Sequence, residues 1–141
     1  MLSVAQRWST DLSSELLECS GRKHVAARST TGAYVGLVPS KYSSGNSPVQ
    51  GSITKAGNTH VRRLLIESAW HHRKSFSTSG PTLRARWAKV DPALRARGHA
   101  GNRRLHKRSR SFTERIKNPL VANVAIAREL AGWCWSLATM Q

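Results

Sequence analysis

Residues 57–76 read GNTHVRRLLIESAWHHRKSF, and the order of residue types in this stretch decides how the rest of the chain is read. Gly57-Asn58 is a turn signal, and the asparagine side chain is one that caps a helix. Val61, Leu64, Leu65, Ala69 and Phe76 then recur at helical spacing. Arg62, Arg63, Arg73 and Lys74 lie toward the other side. The pattern predicts a helix from Asn58 to about Phe76, apolar on one flank and basic on the other. Ser79-Gly80-Pro81 ends it.

Working outward, a second helix is expected from Pro81 to about Lys89, and Asp91-Pro92 opens a third with a cap and a proline at the first helical position. Gly98 and Gly101 should break or weaken it before it continues through the basic run 103–117. Asn118-Pro119 repeats the start signal. The last helix is expected to use Leu120, Val121, Val124, Ala127, Ala131, Cys134 and Trp135 as its apolar side. Upstream, KYSSGNSPVQGS at 41–52 has the composition of a loop, and AYVGLVPS at 33–40 reads as a strand or one buried helical turn. Ser9 can cap a short stretch through Leu17, with Asp11 and Glu15 near its first turn. The expected fold is mainly α, a small helical domain with a Ser/Gly loop. Two parts are expected: a poorly ordered segment at 1–32 and a domain at 33–141.

The chain has 141 residues, 39% of them hydrophobic, which suits one domain with a modest core. It carries 23 Lys and Arg against 7 Asp and Glu, a net charge of +16. Nearly all of that excess lies between Lys41 and Lys117, where 18 basic residues face only Glu67, Asp91 and Glu114. A block this basic repels itself unless a polyanion neutralises it, so nucleic acid is the expected partner. An acidic membrane surface fits less well, because the cations are spread over several segments rather than one amphipathic helix. The bland alternative is a solvated basic face. No apolar run approaches the roughly 18 residues of a membrane span, and the N-terminus does not read as a secretory signal. Cys19 and Cys134 stand far apart, which fits neither a disulfide framework nor a cysteine-only zinc site. A cytosolic location is expected.

Several motifs invite chemistry. His71 and His72 are adjacent, so on a helix they point about 100° apart and do not easily share one metal ion; surface or phosphate-contacting histidines are expected. Trp8, Trp70, Trp87, Trp133 and Trp135 are candidates for stacking on bases, although Trp133 and Trp135 close an apolar helix and read as core or interface anchors. GSITKAGN at 51–58 is not a phosphate loop, and so few acids leave no basis for a two-carboxylate metal site in this chain. One arrangement remains: Tyr42-Ser43-Ser44-Gly45, followed by Lys55, Arg62 and Arg63. A serine hydroxyl attacks a phosphodiester only with help from a base or from cations that stabilise the developing charge. A serine beside a glycine, facing a basic helix, meets the second condition.

Five stretches carry a family resemblance: AYVGLVPSKYSSG (33–45), GSITKAGNTHVRRLLIESAWHHR (51–73), DPALRARG (91–98), RRLHKR (103–108) and VANVAIARELAGWCWSLAT (121–139). In that order and spacing they resemble the C-terminal domain of the insertion-sequence-110-type transposases, the bridge-RNA-guided recombinases. The most specific elements are Y-x-S-G at 42–45 and I-[ST]-K-x-G-[NH]-x-x-x-R-R-x-L at 53–65. The resemblance implies that Ser44 is the nucleophile that joins covalently to DNA during strand exchange. It also implies that Gly45 gives the loop freedom and Tyr42 positions it, and it places Asn58 in the same interface. Charge assigns phosphate contacts on DNA or RNA to Lys55, Arg62 and Arg63. The implied partners are DNA, a guide (bridge) RNA and a RuvC-like domain, with homo-oligomers also expected. No cofactor is implied for these residues; the family's divalent metal, Mg, belongs to the four acidic residues of the RuvC-like domain.

The departures from the family pattern are equally plain. This sequence has no RuvC-like acidic tetrad, and residues 1–32 lack the helix–hairpin–helix-like G-[IV]-G segment that precedes A-Y-x-G-L. The opening residues are therefore expected to come from a shifted frame or a fusion. On this expectation the chain is a truncated remnant, inactive without a RuvC-like domain. The competing expectation is a non-catalytic basic DNA- or RNA-binding protein.

Overall fold

A computed structural model describes residues 28–44, 47–74, 76, 80–115 and 118–140; the side chains of 28–30, 42–50 and 83 lie outside the description, as does the expected helix at Ser9–Leu17. Five α-helices and one hairpin occupy the described residues. Helix α1 is Arg28–Tyr34, strands β1 and β2 are Pro39–Ser44 and Ser47–Ile53, and α2 is Thr59–Ala69. A 3-10 turn, Trp70–Arg73, extends α2, and α3 (Pro81–Trp87), α4 (Pro92–Arg115) and α5 (Pro119–Ala138) follow. The architecture is mainly helical, as expected.

Helix starts obey the capping chemistry. The Asn58 Oδ1 accepts from the backbone N–H groups of His60 and Val61 at 2.9 and 3.1 Å. Asp91 Oδ2 does the same for Ala93 and Leu94 at 2.8 and 3.1 Å, and Asn118 Oδ1 takes the Leu120 N–H at 2.9 Å. Each side chain satisfies donors that the first helical turn leaves open.

The core forms where α2, α4 and α5 meet the turn after α1. Val35, Leu37, Val61, Leu65, Ala69, Leu105, Ile126, Ala127, Ala131 and Trp133 are buried in one cluster. Buried Asn123 on α5 donates through Nδ2 to the Ile66 carbonyl at 2.9 Å, tying α5 to α2.

Three expectations need correction. The Ser/Gly stretch at 41–52 is not a loop: β1 and β2 pair antiparallel, with Tyr42 opposite Val49 and Ser44 opposite Ser47. Two residues, Gly45 and Asn46, separate the paired serines, and a glycine-containing pair between strands is hairpin chemistry that composition alone hides. Helix α4 is also unbroken across Gly98 and Gly101. A Cβ on Gly101 would meet the Trp133 ring at 2.8 Å, so this glycine serves close approach of α4 to α5 rather than a break. Finally, the buried face of α5 runs through Ala122, Asn123, Ile126, Ala127, Ala131, Gly132 and Trp133, leaving Leu120 and Val121 exposed. The expected side holds for Ala127 and Ala131, which are buried, and for Val124 and Cys134, which pack against the core; apolar residues lie almost all round this helix, so periodicity misplaces only part of its face.

Candidate nucleic-acid interface

Two short backbone segments interlock to build the site. The first is the turn after α1, where Gly36 has φ of +68°; the second is the run before α2, where Lys55 and Gly57 have φ of +55° and +78°. The Lys55 N–H donates to the Gly36 carbonyl at 3.1 Å, and the Thr54 N–H to the Val38 carbonyl at 2.9 Å. A Cβ on Gly57 would fall 1.8 Å from the Tyr34 carbonyl oxygen, and one on Gly36 would fall 2.2 Å from that of Ala56. Both positions also need left-handed backbone, which glycine adopts without a Cβ penalty. The K-x-G-N element is thus a backbone lock as well as a source of charge.

Arg62 closes the lock from below. Its guanidinium is buried, and Nη1 donates to the carbonyls of Val35 and Ala56, both at 3.0 Å. Nη2 donates to Thr59 Oγ1 at 3.3 Å. A planar fork fits three acceptors set at fixed angles, which a lysine ammonium does not. The phosphate contact expected of Arg62 therefore gives way to an internal one. Asn58 likewise spends its side-chain oxygen on the α2 cap. Arg63 and Lys55 point outward: both are exposed. Arg63 Nε donates to Glu67 Oε1 at 2.8 Å, one turn along the helix, and that bond raises an already high pKa.

The hairpin rises from this lock, since β2 runs directly into Thr54 and Lys55. Ser44 is the last residue of β1, at the end of the strand pair, and Gly45 follows it outside the described residues. Tyr42 sits two residues earlier in the same strand. At the other end, the Ser40 hydroxyl donates to the Ser52 carbonyl at 2.9 Å, across the two strands.

Beside the hairpin, α4 and α5 wall a groove of about 930 Å³ whose lining includes Leu37, Ile53, Phe112, Leu120 and Val124. Arg104 and Arg108 line it too, and both donate to Glu129, at 2.6 and 3.1 Å. One carboxylate shared by two guanidiniums only partly offsets the charge on the groove side of α4, and Arg128 lines the groove as well. Arg97 instead lies over the Trp133 ring, 4.6 Å from its centroid, and donates to Ser136. Trp133 is buried, in keeping with the core reading of that residue.

The paired histidines behave differently from each other. His71 is exposed, whereas His72 is largely buried, with its ring centroid 5.0 Å from that of His106. Burial, then the charges of His106 and His71, pushes the His72 imidazole down to about 4, so it is neutral at physiological pH. The expectation of two surface histidines therefore holds for His71 alone. Burial similarly raises the Cys134 thiol to about 11, which leaves it unreactive.

Glu67 and Glu129 are held by arginines, Asp91 caps α4, and no three His, Cys, Asp or Glu stand together as ligands among the described residues. No helix among them is long and apolar enough to cross a membrane.

The described residues thus form a hairpin locked onto the start of a basic helix, within a small cationic helical domain. The family described as Transposase IS116/IS110/IS902 family matches residues 15–88, and the chain belongs to that family. The match begins ahead of residue 33, spans the lock, the hairpin and α2, and ends just after α3. The chain is similar to a protein of Sinorhizobium fredii (strain NBRC 101917 / NGR234) named "Putative transposase y4qE", 39% identical over 105 residues. That alignment covers 74% of this chain but 27% of the relative, so the chain spans a minor part of that protein's length. No solved structure matches.

Some of the site was not anticipated from the sequence. Gly36 was not singled out, nor was Glu129 as the acid that absorbs two α4 arginines. The signal for Gly36 was the glycine in an otherwise apolar V-G-L run, where a strand or helix interior disfavours it.

Proposed function

We propose that this chain is the serine-bearing part of a DNA transposase, with Ser44 as the nucleophile. The Ser44 hydroxyl attacks a DNA phosphorus, forming an Oγ–phosphorus ester. One deoxyribose oxygen leaves and takes a proton, and the ester keeps the bond energy for strand exchange. The observation that carries this reading is the lock between Gly36 and Lys55–Gly57, which fixes the hairpin bearing Ser44 to the start of basic helix α2. Exposed Lys55 and Arg63 then contact phosphates, Tyr42 positions the hairpin end, and Gly45 lets the serine approach DNA. Arg62 and Asn58 act indirectly, by holding the lock and the helix start.

Glu67, Asp91 and Glu129 are engaged elsewhere, so on this reading a divalent metal, Mg, would belong to a RuvC-like domain that acts with the chain. Guide-RNA pairing would supply sequence choice, and the chain alone would be inactive. The test mixes the full chain with a RuvC-like domain from a related transposase, guide RNA and labelled DNA, then scores denaturation-resistant protein–DNA adducts. The wild-type protein should give an adduct and Ser44→Ala none. An adduct that persists in Ser44→Ala rejects the nucleophile. DNA retained equally by both proteins, with no adduct from either, selects a binding-only protein instead, a reading favoured by the unpaired cations of α4.

A further inference from the structure

The side of α4 turned away from the groove carries a second, differently built surface. Arg95, His99, Arg103, His106 and Arg110 recur every three or four residues, so they form one stripe along the helix. At 1.5 Å per residue the stripe is about 22 Å long, and its neighbours are about 5–6 Å apart. Arg95, Arg103 and Arg110 are exposed, and none belongs to any of the ion pairs that hold Arg63, Arg104 and Arg108. The helical twist sets this stripe roughly 150° from the groove-facing Arg104 and Arg108. The surface is therefore separate from the hairpin side.

Aromatic rings stand on the same stripe. The Phe76 ring packs edge to face against His99 and His106, with centroids 5.5 and 5.3 Å apart, and is still 41% exposed. Trp87 meets His99 from α3 at 6.3 Å. An exposed phenylalanine costs hydration free energy unless a partner covers it, and here the surroundings are cationic rather than apolar. Rings beside a row of arginines set about 10–12 Å apart suit a ligand with both aromatic faces and repeated negative charge. The interior of a duplex does not offer such faces, because its paired bases are already stacked on both sides. Single strands offer them freely.

We propose that Phe76, with Trp87 and His99 around it, is a stacking platform for unpaired bases, and that Arg95, Arg103 and Arg110 hold the backbone of the same single strand. This inference rests on the nucleic-acid reading above and extends it to a second strand-binding surface. The test uses the full chain and fluorescence anisotropy with three labelled probes: (dT)20, (rU)20 and a 20-base-pair DNA duplex. Phe76→Leu keeps apolar bulk but removes the ring, and should weaken binding to the single strands about tenfold or more. Duplex affinity should stay within about twofold. Phe76→Tyr should restore single-strand binding, which separates stacking from a packing defect. A tighter (rU)20 than (dT)20 complex assigns the platform to RNA, and the reverse to displaced DNA; both support it. Equal losses on all three probes, no loss on any, or failure of Phe76→Tyr to restore binding overturns the platform. A wild-type chain that binds none of the probes overturns the nucleic-acid reading itself.

Discussion

Arg62 gives the sharpest separation between a structural cation and a ligand-binding one. Its guanidinium reaches the turn after α1 through Val35, the Lys55–Gly57 segment through Ala56, and the first turn of α2 through Thr59. In Arg62→Met these acceptors lose their donors. A buried acceptor left short costs about 1–3 kcal/mol, and two backbone carbonyls are affected. Removing a buried charge returns part of its desolvation cost. The net loss should be about 3 kcal/mol, a fall in melting temperature of roughly 12 °C for a domain of this size. Arg62→Lys should lose nearly as much, because a single ammonium cannot serve acceptors placed for a fork. Thermal unfolding followed by circular dichroism measures both, with anisotropy on duplex DNA run on the same samples below the transition. If Arg62 instead serves a phosphate, lysine should substitute well. A lysine variant melting within about 2 °C of wild type, with a methionine variant equally stable but weak on DNA, would refute the internal role.

Two further outcomes follow from packing and burial. Gly101→Ala places a methyl group 2.8 Å from the Trp133 ring and should destabilise the chain by about 1–3 kcal/mol, whereas Gly98→Ala, whose nearest foreign atom is Leu137 Cδ1 at 4.0 Å, should stabilise it by about 0.5 kcal/mol. Chemical denaturation of the two variants checks this, and equal effects at both sites would contradict the close α4–α5 approach. His72 titrates near 6.5 when unfolded but at about 4 when folded, so the unfolded chain binds more protons between those values. Its contribution is complete above pH 6.5 and declines as pH falls toward 4, by at most about 3 kcal/mol. His72→Gln should flatten the stability profile across that interval relative to wild type; superimposable profiles would show that the imidazole is not held neutral by burial.

The helical frame was readable because its start signals are local. Asn58, Asp91 and Asn118 each cap the helix that the sequence assigned to them, since a cap depends on atoms two or three residues away. What the sequence hid depends on partners remote in the chain. Gly101 looks like a helix breaker until Trp133, thirty-two residues later, is seen to lie against it. Arg62 and Arg63 are neighbours of one residue type, yet one is buried on carbonyls of the α1 turn and the other is exposed beside Glu67. Charge counting treats the two as equal. Only the helix rotation, fixed by Val61 and Leu65 entering the core, decides which arginine turns inward. The same rule explains the hairpin: Ser, Gly and Pro describe a loop by frequency, but strand pairing supplies hydrogen bonds that frequency does not record. A family motif such as K-x-G-N-x-x-x-R-R therefore mixes two kinds of residue. Gly57, Asn58 and Arg62 build the platform. Lys55 and Arg63 are the members left facing whatever polyanion the domain meets. Substituting the first group should lower stability and binding together, and substituting the second should lower binding alone.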